Sequence, residues 1–268
     1  MHSIDPAAHL TRVRETSPLV HNITNHVAMN SMANVLLAIG ASPAMVHARE
    51  EAAEFTALAG ALTINIGTLS PHWVDAMEAS AMAARETGRP WVLDPVAVGA
   101  TRYRRETGAR LLALSPEVIR GNASEIIALA GQAGGGRGVD STDPADAALA
   151  AARRLAHQTG GVVAVTGEVD LVTDGRRLAR LQGGHPLMPR VTTLGCALTG
   201  VVAAFLTGVE DRFEATVSAL ACYAVAGEVA GDVAQGPGSF AVAFLDALYH
   251  LDGETLAARA RLEVDDAP

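Results

Sequence analysis

The chain has 268 residues, enough for one large α/β domain with a substantial core. Hydrophobic residues make up 49% and charged ones 18%, which excludes a disordered chain, and the net charge of −9 carries none of the basic blocks that a nucleic-acid partner needs. All 20 basic residues are Arg, so there is no Walker A lysine, no protein-kinase strand lysine and no Schiff-base lysine. Any phosphate handled here is met by backbone N–H groups, Arg and a metal.

Asp5 to Thr16 predicts a short amphipathic helix with Pro6 just inside its start. Pro18 to Ile23 reads as a strand closing in Thr24-Asn25, and His26 to Ile39 as a helix stopped by Gly40. Further strands are expected at Pro43–Val46, Ala61–Ile66, Trp91–Asp94, Val118–Gly121 and Gly161–Thr166, with a helix from Ser70-Pro71 to about Thr87. Several strands are continuous apolar runs separated by helical segments, the pattern of a mostly parallel sheet covered on both faces. Asp170 to Gln182 suggests a hairpin turning at Thr173-Asp174-Gly175, placed at the sheet edge. Three helices follow, at about 196–207, 211–233 and 238–251, and the acidic tail from Asp252 is expected to fray. No linker or internal repeat divides the chain, so residues 1–268 are expected to form a single α/β domain, with Gly134–Gly138 as a mobile loop.

The two cysteines, Cys196 and Cys222, fall in core-helix segments and suit free thiols in a reducing compartment. With no leader at Met1 and no apolar run near twenty residues, the expectation is a cytoplasmic protein with no membrane partner. The nine histidines lack zinc-site spacing.

The richest stretch is Arg190-Val191-Thr192-Thr193-Leu194-Gly195-Cys196, where a polar loop turns into a small-residue helix. A helix start has unpaired N–H groups and the positive end of the macrodipole, so it can hold a phosphate. Cys196, in the first turn, is then placed to be a thiolate base or nucleophile; equally, it is a small buried Cys. In an open α/β sheet the ligand lies beyond the carboxyl ends of the strands. That rule selects Asn25, Met45, Gly67, Asp94, Arg120, Asn122, Glu125 and Thr166. Asp94 is either a turn residue or, with Glu125, a holder of Mg²⁺, which favours sparse carboxylates plus phosphate oxygens. Asn122-Ala123-Ser124-Glu125 is also a capping box. Arg120 can neutralise a polyphosphate or simply face solvent, and Thr166-Gly167 can offer a hydroxyl and a flexible backbone to phosphate or form an ordinary turn. Met45 is a core residue or a soft wall for a heteroaromatic ligand.

Taken together, these pieces resemble the hydroxyethylthiazole kinases, the thiamine-salvage family of the ribokinase-like group. The resemblance runs from about Pro18 to Leu251. It is carried by Pro18-Leu19-Val20-His21-Asn22-Ile23-Thr24-Asn25, Gly40-Ala41-Ser42-Pro43-Ala44-Met45, Asn65-Ile66-Gly67-Thr68-Leu69, Leu93-Asp94-Pro95-Val96 and Arg120-Gly121-Asn122-Ala123-Ser124-Glu125. It implies a ribokinase-like fold and transfer of the ATP γ-phosphoryl group to the primary alcohol of 4-methyl-5-(2-hydroxyethyl)thiazole. It further implies that Met45, Gly67 and Thr193 serve the thiazole, that Arg120, Thr166 and Gly195 serve ATP, and that Asp94 and Glu125 serve Mg²⁺. Cys196 stands where related sugar kinases place a catalytic Asp. The family's trimers put Asn25 and Val27 at a site between subunits, so a homotrimer is expected. The family usually has Gly where this chain has Thr193, and a small residue where it has Leu194. Two rival activities remain at this point: a cysteine hydrolase using Cys196 with a His partner, His185 or His21, and a non-catalytic thiazole or nucleotide carrier.

Overall fold

The computed structural model describes residues 4–133 and 144–265, so the Gly134–Gly138 segment lies outside the described residues. Asp5 accepts from Ala7 N and Ala8 N and so starts helix α1 (Pro6–Thr16). Strand β1 (Leu19–Ile23), α2 (Met29–Ile39), β2 (Ser42–Ala44), α3 (Ala52–Leu58) and β3 (Ala61–Asn65) follow. Ser70 then caps α4 (Pro71–Thr87) through Trp73 N, as its Ser-Pro signature predicts. Next come β4 (Trp91–Asp94), α5 (Arg102–Leu112), β5 (Val118–Asn122), α6 (Ala123–Ala133), α7 (Pro144–Thr159) and β6 (Val162–Thr166). The hairpin β7 (Val169–Thr173) and β8 (Leu178–Gln182) leads to α8 (Leu194–Leu206), α9 (Arg212–Val233), α10 (Pro237–His250), α11 (Gly253–Arg259) and β9 (Arg261–Asp265).

The strands form one sheet in the order β2-β1-β3-β4-β5-β6-β7-β8-β9, parallel from β2 through β6 and antiparallel beyond. The strand period of two sends neighbouring residues to opposite faces. Val92, Val118, Val162 and Ala164 pack under α1, α2, α8, α9 and α10, whereas Leu93, Ile119, Val163 and Val165 pack under α3 to α7. Both faces are therefore dry, which explains why the parallel strands are continuous apolar runs. The fold is α/β and ribokinase-like, with a mixed sheet between two helical layers.

Three expectations change. Residues 252–265 do not fray: Asp252 caps α11 through Thr255 N, and β9 pairs with β8 over five residues, whereas the rest of the acidic tail lies outside the described residues. The β7–β8 hairpin is consequently one strand in from the edge, and β9 is the edge strand. Finally, α9 is, among the described residues, long and apolar enough to cross a membrane by length and composition, but 78% of its most apolar stretch is buried inside the fold.

Candidate active site

The carboxyl ends of β1, β3, β4, β5 and β6 and the start of α8 converge. Asp94, the last residue of β4, is fully buried between the two helical layers. Its Oδ2 accepts from Asn65 Nδ2 at 2.7 Å and from Thr199 Oγ1 at 3.0 Å, with Arg120 Nη1 at 3.9 Å. Its Oδ1 is buried without any hydrogen-bond partner. Burial pushes the Asp94 carboxyl up from 3.8 to about 6; Arg120 pulls it down, the charge of Glu125 adds to the rise, and the two donors oppose it.

Asn65 links the two halves of the site. Its Oδ1 accepts from Gly67 N at 2.8 Å and from Asn25 Nδ2 at 3.1 Å, and the same Asn25 amide lies 3.3 Å from Cys196 Sγ. A Cβ at Gly67 would fall 2.8 Å from Asn65 Oδ1 and 3.0 Å from Asn25 Cβ, so only glycine lets the β3 loop close on this amide pair.

Helix α8 begins with Thr193 at its N-cap and no side-chain cap, leaving its first N–H groups for a ligand. Gly195 lies directly under Arg120, since a Cβ there would be 3.3 Å from Arg120 Nη2. Arg120 Nη2 donates to Thr166 Oγ1 at 2.8 Å, while its Nε is buried without a partner. A guanidinium that bonds one hydroxyl and lies 3.9 Å from the Asp94 carboxylate, above a bare helix start, has the charge and the free donors to take an anion. The site opens on a cavity of about 730 Å³ whose lining includes the apolar side chains of Leu194, Leu198 and Leu220 and the ring of Tyr223. Tyr223 OH donates to Leu194 O at 2.7 Å and braces the first turn of α8.

Thr193 has φ 71°, in the left-handed region where a β-branched residue is strained. Its hydroxyl hydrogen-bonds Ser31 Oγ on α2, which ties the anion loop to that helix. The departure from the family's usual Gly thus falls on a backbone that favours Gly.

The capping box at Asn122 is fully formed: Glu125 N donates to Asn122 Oδ1 at 3.0 Å and Asn122 N to Glu125 Oε2 at 2.9 Å. Glu125 Oε1 accepts from Ala97 N at 3.0 Å. Both carboxylate oxygens are thus engaged by backbone, although the charge still faces Asp94.

Cys196 is not the thiolate that its helix start suggests. Burial raises its pKa, the negative Asp94 raises it further, and Asn25, Asn65 and Arg120 only partly oppose. Neither His proposed as its partner bonds it among the described residues: Cys196 Sγ is met by Asn25, His21 bonds Thr56 Oγ1 at 2.9 Å and Val46 O at 2.7 Å, and His185, although it lines the cavity beside Gly195, stacks on Phe240. Met45 lies just beyond β2, partly buried against the core, and Val27 is 65% exposed. Arg120 is the third residue of β5 rather than its last, and it reaches the site along the strand.

The residues missed in the sequence are Asn65, Thr199 and Arg104. Asn65 ends β3, and the strand-end rule selects it; Thr199 lies one helical turn after Cys196, on the same face. Arg104 gave no local signal, yet it donates to Ile66 O, Val96 O and Gly67 O at 2.6, 2.9 and 2.7 Å, clasping the β3 and β4 loops together.

The chain is similar, over nearly its whole length, to proteins of one family. A hydroxyethylthiazole kinase from Cereibacter sphaeroides is 64% identical over 255 residues, which cover 95% of this chain and 97% of the relative. A hydroxyethylthiazole kinase from Rhizobium etli is 63% identical over 256 residues, covering 95% and 99%. The solved structure of a hydroxyethylthiazole kinase protein from Pyrococcus horikoshii superposes with a TM-score of 0.91 at 42% identity, covering 97% of this chain and 99% of that one. A pyridoxal kinase from Staphylococcus aureus in complex with ADP shares the fold alone, with a TM-score of 0.64 at 16% identity over 93% of this chain and 99% of that one. The hydroxyethylthiazole kinase family pattern matches residues 10–254, and the chain belongs to that family.

Proposed function

We propose that the chain transfers the γ-phosphoryl group of ATP to the primary alcohol of 4-methyl-5-(2-hydroxyethyl)thiazole, the salvage entry to thiamine. The observation that carries this reading is the uncapped start of α8 with Gly195 beneath Arg120, one residue from Cys196 and beside the Asp94–Asn65–Asn25 chain. In this reading Arg120, Thr166 and the Gly195 backbone hold the phosphates. Asn25, Gly67, Thr193 and Met45 hold the alcohol; Asn25, expected with Val27 from a neighbouring subunit, bonds Asn65 and Cys196 of its own chain, so Val27 alone would come from the neighbour. The alcohol oxygen forms its bond to the γ-phosphorus as the bond to the β-phosphate oxygen breaks, and ADP leaves. A loose in-line transition state asks for positioning and charge more than for a strong base. A neutral Cys196 thiol then orients the alcohol; as the new bond forms, the hydroxyl proton passes to an oxygen of the transferred phosphoryl group and from there to solvent.

The residues present fit Mg²⁺ in one respect: Asp94 Oδ1 is a buried carboxylate oxygen without a partner. Among the described residues no group of three His, Cys, Asp or Glu side chains gathers to hold a metal, so substrate phosphates would have to complete the set. Bound there, Mg²⁺ would supply the positive charge that a chain without lysine lacks. Asp94 would hold it, and Glu125 would act through its charge, its oxygens being committed to backbone.

Assembly is part of the reading. Val27 and Leu37 by α2, and Val242 and Tyr249 on the adjoining α10, are exposed apolar residues, in keeping with a subunit contact beside Asn25. A ring-closing trimer would complete each site with a neighbour's residues. The two free thiols are in keeping with action in the cytoplasm. The test is an assay of ADP release and phosphorylated product on a panel of small heteroaromatic alcohols, with Mg²⁺ and with excess chelator, alongside light scattering. Full turnover in chelator refutes the metal role, ATP hydrolysis without alcohol phosphorylation refutes the acceptor, and a fully active monomer refutes the shared site.

A further inference from the structure

The cavity beside Arg120 contains a feature that phosphate binding does not explain. Two carboxylates, Glu168 and Asp170, line it close to the anion site. A carboxylate facing a polyphosphate would repel it, so these side chains need another part of the ligand. Asp170 is the better placed. It sits at the start of β7, in register with Leu181 of β8, and its Oδ1 accepts from Gly167 N at 2.9 Å, which fixes the carboxylate against the Thr166–Gly167 turn. Its Oδ2 has no hydrogen-bond partner among the described residues. Burial pushes this carboxyl up, with the Gly167 N–H and the charge of Arg120 opposing.

A nucleotide laid through the cavity has its phosphates at Arg120 and its base toward the apolar wall of Leu198, Leu220 and Tyr223. Between phosphates and base lies the sugar, whose hydroxyls are the donors that a fixed carboxylate oxygen accepts. We infer that Asp170 is a specificity-determining residue that accepts a hydrogen bond from a ribose hydroxyl of ATP, and so selects ribonucleotides over deoxyribonucleotides as phosphoryl donors. This inference rests on the assignment of the cavity to the nucleotide.

The experiment compares kcat/KM for ATP, 2′-deoxy-ATP and 3′-deoxy-ATP in the wild-type enzyme, Asp170→Ala and Arg120→Gln. A hydrogen bond to a charged acceptor sets the wild-type preference for ATP over at least one deoxy analogue at about tenfold or more. Asp170→Ala is expected to lower kcat/KM for ATP alone, bringing the three nucleotides within about threefold of each other. Asp170→Ser keeps one oxygen for Gly167 N and removes the second, so it should lose the same preference if the alanine variant folds poorly. Three results overturn the inference: a wild type that does not discriminate, a variant that discriminates as the wild type does, or an equal loss with all three nucleotides. The last would mean that Asp170 only shapes the turn. Arg120→Gln separates this failure from that of the cavity assignment. An unchanged KM for ATP in that variant removes the nucleotide from the cavity, whereas a raised KM together with persistent discrimination in Asp170→Ala removes only the sugar contact.

Discussion

Replacing Asp94 by Asn should stabilise the protein while disabling it. Asp94 is fully buried, and its carboxyl lies at about 6 instead of 3.8 because burial outweighs Arg120 and the hydrogen bonds from Thr199 and Asn65. Between those two values the folded chain binds the proton more tightly than the unfolded chain. Stability therefore falls as pH rises through the window from 3.8 to about 6, and the cost is complete above it. The gap of about 2.2 pH units, at about 1.4 kcal/mol per unit, amounts to about 3 kcal/mol at pH 8 and about half of that at pH 5. The substituted asparagine keeps an oxygen for Asn65 Nδ2 and Thr199 Oγ1 and carries no charge; its NH₂ group takes the place of the partnerless Oδ1, and that buried donor offsets about 1 kcal/mol or more of the gain. Urea unfolding in metal-free buffer should thus find Asp94→Asn more stable than wild type by up to about 2 kcal/mol at pH 8, with a clearly smaller difference at pH 5. Turnover with ATP and Mg²⁺ should fall by about a hundredfold or more, the stability–activity exchange expected where a charge is kept for function. A variant no more stable than wild type at pH 8, or a difference that does not change with pH, would refute the reasoning.

Further substitutions probe the rest of the site. Cys196→Ala should retain measurable kinase activity, because the raised thiol pKa leaves little thiolate near neutral pH, and Cys196→Asp should exceed it by accepting the alcohol proton; an alanine variant without any turnover would restore the nucleophile. Glu125 uses both oxygens on backbone N–H groups, so Glu125→Gln, with one acceptor, should lose about 1 kcal/mol of stability and lower kcat about tenfold or more. Wild-type kcat in that variant would reduce Glu125 to a cap. At position 193 the usual order should reverse: Thr193→Gly melts above Thr193→Ala by the equivalent of about 1 kcal/mol, because alanine keeps the strain of φ 71° without the Ser31 hydrogen bond. Equal melting temperatures would place the backbone at 193 outside the left-handed region.

Much of the architecture is local chemistry and was legible. Asp5-Pro6 and Ser70-Pro71 mark helix starts because a side-chain oxygen and a missing N–H suit the first turn whatever lies around them, and both helices begin there. The apolar runs of β3, β4 and β6 announce burial on both faces, and hence a parallel sheet. Once the sheet is parallel, the carboxyl-end rule selects Asp94, Gly67 and Thr166 by position, and the family resemblance adds their expected ligands.

What the sequence alone did not decide are properties that depend on partners distant in the chain. Arg261–Asp265 alternates charged and apolar residues over too short a run to announce a strand, and it becomes one through pairing with β8, some eighty residues earlier. Arg104 acts on carbonyls that only the packing of α5 against the loops brings within reach. Asn65 becomes the centre of the site because β1, β3 and β4 lie side by side, and their last residues then meet. For Cys196 the local signal and the tertiary result have opposite signs. A helix start favours a thiolate, but burial beside the ionised Asp94 raises the thiol pKa. The field at a buried atom is the sum over every neighbour the fold supplies, and the residues adjacent in sequence contribute only part of it.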